Sequence, residues 1–221
     1  MDKLDPRKIY DDLHQIPELG FEEFKTSAYL ADKLEALGYK VTRNVGGTGV
    51  IGEIKGSEPG PVMMLRADMD ALPFLIDGEK KNIHACGHDA HSAMLLAAAS
   101  ELVGKVKRGT LRILFQQGEE TLKGALAVID AGVIEDVDIA LGLHIRPVQD
   151  IAYGEMSPAV RHASSTFVNV VINGLSSHGA RPHLGVNAIE AAAVAINAIT
   201  AIKINPIIPW SCKVTGIKGG G

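Results

Sequence analysis

The segment Asn82 to His91, NIHACGHDAH, contains three histidines and one cysteine, although the 221-residue chain has only eight histidines and two cysteines. Thiolates and imidazoles are preferred ligands of zinc in proteins. The segment therefore suggests a metal site, with Cys86 and His88 as candidate ligands. A helix cap beside a buried thiol would explain the same residues, so a metal site needs further ligands elsewhere in the chain.

Other polar residues that could complete such a site each follow an apolar, strand-like segment. They are Asp68 and Asp70 after 61–68, Glu119 and Glu120 after 110–117, and His144 near the end of 137–145. In a parallel sheet, sites form at the carboxyl ends of the strands, so we expect these side chains to converge there. Taken singly, they could be turn aspartates, solvated glutamates at a helix start and a core histidine. Their joint placement favours a functional site.

Strands alternate with helices through the first part of the chain. The apolar spacing predicts helices at about 5–15, 22–37, 89–103 and 122–132, and strands at 39–43, 49–55, 61–68, 110–117 and 137–145. Several of the strands are almost continuously apolar. The pattern therefore predicts an α/β fold, in which a mostly parallel sheet carries helices on both faces.

The pattern changes after about residue 162. Segment 165–174 alternates like a half-exposed strand, 185–202 has the pattern of a long helix, and 211–217 that of a strand. This order predicts a second, smaller α+β unit. We therefore divide the chain into one domain at 1–162, which holds the candidate metal site, and the first part of another at 163–221.

Composition limits the classes of function. The net charge is −4, and 46% of the residues are hydrophobic, which is typical of a globular protein. The sequence shows no basic block for nucleic acid and no apolar run long enough to span a membrane. The charged N-terminus is unlike a secretory signal, and two cysteines build no disulfide framework. We expect a soluble cytoplasmic protein that binds neither nucleic acid nor membranes.

Four motifs resemble those of the M20 family of metallo-amidohydrolases. In chain order they are LRADMDALP, HACGHDAH, GEE followed by GLHIRP, and SSHGARPH. The resemblance covers nearly the whole chain and points to the branch of hippurate hydrolases, N-acyl-amino-acid amidohydrolases, N-acetyl-diaminopimelate deacetylases and auxin-conjugate hydrolases. It implies a zinc-exopeptidase-like fold that hydrolyses the amide bond of N-acyl amino acids with metal-activated water. The sequence QQGEE departs from the proline and small residue that commonly precede the glutamates in this family, which bears on loop shape.

The resemblance also implies roles for individual residues. The general base would be Glu119. Asp68 and Asp70 would orient histidine ligands, and His84 and His91 would be supporting residues. The implied ligands of two divalent ions (zinc, manganese or cobalt) are Cys86, His88, Glu120 and His144.

In the family, the second domain is a lid and dimerisation surface. The resemblance implies that His178 stabilises the oxyanion in the partner subunit of a homodimer, and that Arg181 and His183 meet the substrate carboxylate. It also implies a further histidine ligand beyond residue 221, so we expect residues 1–221 alone to be inactive. Two alternatives remain open from the residues: a catalytically incomplete fragment, or a non-enzymatic protein that binds metal or a partner. A mononuclear structural zinc site is disfavoured because Glu119 would have no role in it.

Overall fold

The computed structural model describes residues 3–159, 166–208 and 210–220. These residues form two compact units that divide between Gly154 and Glu155. The predicted domain boundary at 162–163 lies outside the described residues.

The helices and strands of the first unit follow the predicted order. The helices are α1 (Pro6–His14), α2 (Phe24–Ala36), α3 (His88–Leu102) and α4 (Gly124–Asp130). The strands are β1 (Lys40–Val45), β2 (Gly49–Lys55), β3 (Glu58–Asp68), β4 (Leu72–Ile76), β5 (Glu79–Ile83), β6 (Arg108–Gln116) and β7 (Ile139–Gly142). The helices and strands predicted for this unit are confirmed, although β7 is shorter than expected and ends before His144.

Five of these strands form one sheet, in the order β1-β2-β6-β3-β7. Strand β3 pairs in parallel with both β6 and β7, whereas β1, β2 and β6 pair antiparallel. The predicted α/β class is confirmed, and the sheet is parallel at the three strands that precede the candidate site residues. In this register Asp68 lies opposite Gln116, and Arg66 lies opposite Gly142.

Helices cover both faces of the sheet. Along β6, Ile113 and Phe115 belong to a core with buried residues of α1, α2 and α3, whereas Leu114 packs with Val128 of α4 on the other face. This alternation is the period of two that places successive side chains on opposite faces of a strand. The sheet is thus fixed from both sides, which holds the ends of β3 and β6 in place.

A hairpin of β4 and β5 was not predicted. The strands pair antiparallel around Asp77 and Gly78, which both have positive φ angles, 52° and 81°. An Asp-Gly pair is favoured in this two-residue turn because both positions require left-handed backbone. The signal is present in the sequence, but the polar second strand lacks the apolar pattern used to predict strands.

The second unit contains the helix α5 (Ala188–Thr200), which confirms the helix predicted at 185–202. Its first turn is capped by the side chain of Asn187, which accepts hydrogen bonds from the amides of Ile189 and Glu190. A short 3-10 helix covers Pro182–Leu184.

The two strands predicted in this unit are wrong for the residues that the structure describes. No strand forms at 166–174 or at 211–217, and residue 165 lies outside the described part. The pairing seen in this part of the chain is the isolated bridge between Leu175 and Val186. Alternating polarity predicts a half-buried face, but a strand also needs a partner strand for its backbone groups. Within the described residues, no helix has the length and apolar character needed to cross a membrane.

Candidate metal centre

The candidate site lies where the parallel strands end. Because β3 lies between β6 and β7, the carboxyl ends of all three strands are neighbours. Asp68 is the last residue of β3, Glu119 and Glu120 follow β6, and His144 follows β7. The predicted convergence of these residues at one sheet edge is therefore present in the structure.

The loop before α3 brings a fourth segment to this edge. Gly87 caps the helix with a φ of 81°, a left-handed conformation that favours glycine. A Cβ atom at this position would lie 2.2 Å from Cδ1 of Ile145. Glycine thus allows the loop that carries Cys86 and His88 to approach the segment after β7.

The ligand atoms of Cys86, His88 and Glu120 lie within 4.8 Å of one another. Nε2 of His88 is 3.8 Å from Oε1 of Glu120, and Sγ of Cys86 is 3.5 Å from Nε2 of His144. Ligand bonds of about 2.0–2.3 Å separate two ligands of one ion by about 3–4 Å. The four residues expected to bind metal are therefore brought together at distances that suit coordination.

Two of these ligand atoms are buried without a hydrogen-bond partner among the described residues. They are Nε2 of His88 and Oε1 of Glu120. Buried polar atoms in proteins are nearly always paired, because leaving one unpaired costs free energy. A divalent cation would satisfy both atoms at once, and the sulfur, nitrogen and oxygen donors suit such an ion. The site thus fits a metal ion.

The pKa values at the site reflect a surplus of negative charge. Burial, followed by the charges of Glu120 and Glu119, raises the pKa of the Cys86 thiol to about 12. Burial also raises the pKa of Glu120, against the opposing charge of His88. For His88, burial lowers the pKa, but the hydrogen bond with Asp70 and the charge of Asp68 outweigh it and raise the pKa overall. A bound cation would offset this surplus. It would favour the ionised forms of Cys86 and Glu120 and the neutral form of His88.

Asp70 connects the histidine and the glutamate of the site. Its Oδ1 lies 3.0 Å from Nδ1 of His88, and its Oδ2 accepts a hydrogen bond of 2.9 Å from the amide of Glu120. A carboxylate bonded to one ring nitrogen directs the other nitrogen towards a metal. Asp70 therefore occupies the position expected of a residue that orients a histidine ligand.

Asp68 contacts a different histidine. Its Oδ1 lies 2.6 Å from Nδ1 of His91, and its Oδ2 accepts a bond of 2.8 Å from Arg66. Burial alone would raise the pKa of Asp68, but the bond with His91 and the charge of Arg66 hold it at about 2. Nε2 of His91 accepts a hydrogen bond of 2.9 Å from the amide of Ile145, next to His144. The contact with His91 links Asp68 to the loop of His144.

Asp68, His88, His91 and His144 also have ligand atoms within 4.8 Å of one another. Both carboxylate oxygens of Asp68 and both ring nitrogens of His91 already have hydrogen-bond partners, however. A histidine that accepts at Nε2 and donates at Nδ1 is neutral and has no lone pair left for an ion. We therefore interpret this second group as a hydrogen-bond network that supports the cluster of Cys86, His88 and Glu120.

Several residues around the site were not predicted. Arg66 donates to Gln116 as well as to Asp68, and Glu23 is fully buried beside the loop that carries the two glutamates. Arg66 had a signal in the sequence, because a charged residue inside an apolar strand needs a buried partner. His84, in contrast, was expected to be a supporting residue. It is buried, but neither of its ring nitrogens has a hydrogen-bond partner among the described residues, and burial lowers its pKa.

The remaining predicted site residues belong to the second unit. His178, Arg181 and His183 are exposed and lie in one turn of the chain. The amide of Arg181 donates to the carbonyl of His178, and His183 lies in the 3-10 helix. Nδ1 of His178 accepts a hydrogen bond of 3.1 Å from the amide of Ala180. A neutral His178 ring with this contact carries its proton on Nε2.

The chain belongs to the peptidase family M20/M25/M40, whose sequence pattern matches residues 64–213. It is 38% identical to thermostable carboxypeptidase 1 of Saccharolobus solfataricus, over 94% of this chain and 57% of that protein. It is 36% identical to the hippurate hydrolase of Campylobacter jejuni, over 95% of this chain and 57% of that protein. The chain thus spans a little over half the length of these curated relatives.

A solved structure of an M20 protein is also similar to this chain. The Bacillus subtilis YXEP protein, described as a dinuclear metal binding peptidase from the M20 family, is 38% identical and matches with a TM-score of 0.59. This match covers 64% of the present chain and 43% of the YXEP chain. The dinuclear metal binding described for that relative and the cluster of ligand atoms in this chain together support binding of divalent metal.

Proposed function

We propose that this chain is the metal-binding part of an amidohydrolase that removes the acyl group from N-acyl amino acids. The observation that carries the proposal is the cluster of Cys86, His88 and Glu120, in which two buried ligand atoms lack a protein partner, next to the carboxylate of Glu119. The substrate class is supported by the name of the Campylobacter jejuni relative, because hippurate is an N-acyl amino acid.

The proposed ligands are Cys86, His88, Glu120 and His144, shared between two divalent ions. The dinuclear description of the YXEP protein supports the number of ions. The thiolate favours zinc, whereas the nitrogen and oxygen ligands also suit manganese or cobalt. Bound at this site, such ions polarise an amide carbonyl and lower the pKa of water.

Glu119 is the proposed general base. Its side chain is 37% exposed, compared with 22% for Glu120, and its Oε2 lies 3.9 Å from Nε2 of His88. Glu119 is therefore the more accessible of the two glutamates, which suits a base that must contact water and substrate. Its carboxylate takes a proton from the attacking water as the oxygen bonds to the carbonyl carbon. It then gives that proton to the amine nitrogen as the carbon–nitrogen bond breaks.

Residues of the second unit complete the proposal. Nε2–H of His178 would donate to the oxyanion in the partner subunit of a homodimer, and Arg181 and His183 would bind the substrate carboxylate. Residues 1–162 would then form the catalytic domain, and residues 163–221 would be part of a lid and dimerisation domain. Both cysteines, Cys86 and Cys212, are free, as expected in a reducing compartment such as the cytoplasm.

The test compares Glu119→Gln with Glu120→Gln in the protein at its full natural length. Metal content is measured by elemental analysis, and turnover is measured on a panel of N-benzoyl- and N-acetyl-amino acids. We expect Glu119→Gln to keep its metal and to lose about two to four orders of magnitude in turnover, the range for a lost general base. We expect Glu120→Gln to lose metal.

The exposed Glu79→Gln in strand β5 is a control for the chemical change and should match the wild type. If Glu119→Gln loses its metal, the assigned roles of the two glutamates are wrong. If the metal-loaded wild type hydrolyses none of the panel, the proposed substrate class is wrong.

A further inference from the structure

Glu23 is a buried carboxylate that the metal centre does not use. It precedes α2, and none of its surface is exposed. A buried charge is costly unless hydrogen bonds compensate for the lost water. Oε1 of Glu23 accepts a bond of 2.8 Å from the amide of Gly118, and Oε2 accepts a bond from the hydroxyl of Thr48. Glu23 thus joins the start of a helix to the loop that follows β6.

The bond to Gly118 holds the backbone immediately before Glu119. The amide immediately after Glu119, that of Glu120, donates to Asp70, whose side chain is also buried. The amides of the two residues that flank Glu119, Gly118 and Glu120, therefore each donate to a buried carboxylate. Glu23 on one side and Asp70 on the other thus both restrain the backbone that carries Glu119, together with the local bond from the amide of Leu122 to the carbonyl of Glu119.

The packing of Gly118 against Phe21 also restrains the loop that carries Glu119. Gly118 has a φ of 59°, and a Cβ atom on it would lie 2.5 Å from the ring of Phe21. Phe21 has itself a positive φ of 67°, which is rare for a residue other than glycine, asparagine or aspartate. Such a conformation persists where surrounding contacts hold it, and it is concentrated at functional sites.

Those contacts lie on both sides of Phe21. The carbonyl of Glu18 accepts a bond of 2.7 Å from the amide of Ala71, just after Asp70, and Glu23 holds Gly118. The segment 18–23 therefore contacts both the segment after β3 and the loop after β6. Both of these segments carry residues of the candidate metal centre.

We propose that Glu23 is a positioning residue for the general base: its carboxylate anchors Gly118 and thereby fixes Glu119 over the metal centre. The inference rests on the proposed function in assigning the base to Glu119. Glu23 itself contacts neither substrate nor metal in this arrangement, so its loss should affect turnover more than metal binding.

The test uses Glu23→Leu, which keeps most of the side-chain volume but removes both acceptors, and Glu23→Gln as the conservative rescue. The amide oxygen of glutamine can accept from Gly118 while its NH₂ group donates to the Thr48 hydroxyl. Exposed Glu22→Leu is the matched control at the neighbouring position. Hydrogen–deuterium exchange of the peptide 117–123, metal content, kcat and KM are measured for each variant.

We expect Glu23→Leu to speed exchange in 117–123 by about tenfold, the effect of losing one such hydrogen bond. We also expect kcat to fall by about 10- to 100-fold with KM and metal content nearly unchanged, because misplacement of a reacting group affects the chemical step. Glu23→Gln and Glu22→Leu should resemble the wild type in exchange rate, metal content, kcat and KM.

Unchanged exchange and kcat in Glu23→Leu would overturn the proposal, as would a Glu23→Gln variant as impaired as Glu23→Leu. If Glu23→Leu does not fold, Glu23→Asp is used instead, because a side chain shorter by one methylene group should not reach the amide of Gly118. The absence of faster exchange at 117–123 in that variant would also overturn it. A wild type without turnover would contradict the proposed function alone, since the exchange measurements would still decide the anchoring role of Glu23.

Discussion

Replacing Asp68 with asparagine should destabilise the first unit in a pH-dependent way. Asp68 is fully buried and accepts hydrogen bonds from His91 and Arg66, which together hold its pKa at about 2 against an ordinary value of 3.8. A tenfold change in an acid dissociation constant corresponds to about 1.4 kcal/mol. The ionised Asp68 therefore contributes about 2 kcal/mol to the free energy of unfolding at neutral pH, a contribution that asparagine cannot make.

The pH dependence follows from the direction of the change in pKa. Because the pKa of Asp68 is lower in the folded protein, the unfolded chain binds more protons between pH 4 and pH 2. The contribution of Asp68 is therefore complete above about pH 5 and is lost as the pH falls through 4 towards 2. The difference between wild type and Asp68→Asn should be about 2 kcal/mol at pH 7 and about half of that near pH 3.

The assay is urea unfolding of the metal-free protein, followed by far-ultraviolet circular dichroism, from pH 7 down to the lowest pH at which both proteins fold. Asp77→Asn is the matched control, because Asp77 lies in the exposed hairpin turn and asparagine accepts its left-handed backbone. We expect this control to stay within about 0.5 kcal/mol of the wild type. An Asp68→Asn variant as stable as the control at pH 7, or a difference that does not narrow in acid, would refute the reasoning.

Two further predictions concern metal binding, measured by titration calorimetry. Replacing His91 with alanine removes the acceptor for the amide of Ile145 and should weaken binding by about 10- to 100-fold, the usual effect of removing a supporting group. The exposed His183→Ala should have no effect, and equal affinities of the two variants would contradict the supporting role of His91. Zinc binding at pH 7.5 should release a proton, because the Cys86 thiol has a pKa of about 12 without metal and must ionise to bind. Cys86→Ser should bind more weakly and release one proton fewer; a binding enthalpy that does not depend on the ionisation enthalpy of the buffer would contradict this.

Local signals in the sequence were sufficient for most elements of the first unit. The helix predicted at about 5–15 is α1, and Asp5 before it accepts a hydrogen bond from the amide of Arg7. The apolar run at 110–117 predicted β6, whose side chains are buried on both faces of the sheet. These signals work because capping and burial depend on residues close in the chain. The Cys86–His88 motif and the strand-end positions of Glu120 and His144 likewise predicted which residues would meet.

Pairing between distant segments was decided only by the tertiary structure. The sequence shows two aspartates and two histidines, but only the fold assigns Asp70 to His88 and Asp68 to His91. Glu23 had no local signal at all, because its partner Gly118 lies 95 residues away. The described segments 166–174 and 211–217 form no strand for the same reason. Alternating polarity predicts which side chains would share one face of a strand, but it does not supply the partner strand. Hydrogen bonds between distant segments depend on where the packed sheet places their ends, and that placement is a property of the whole core.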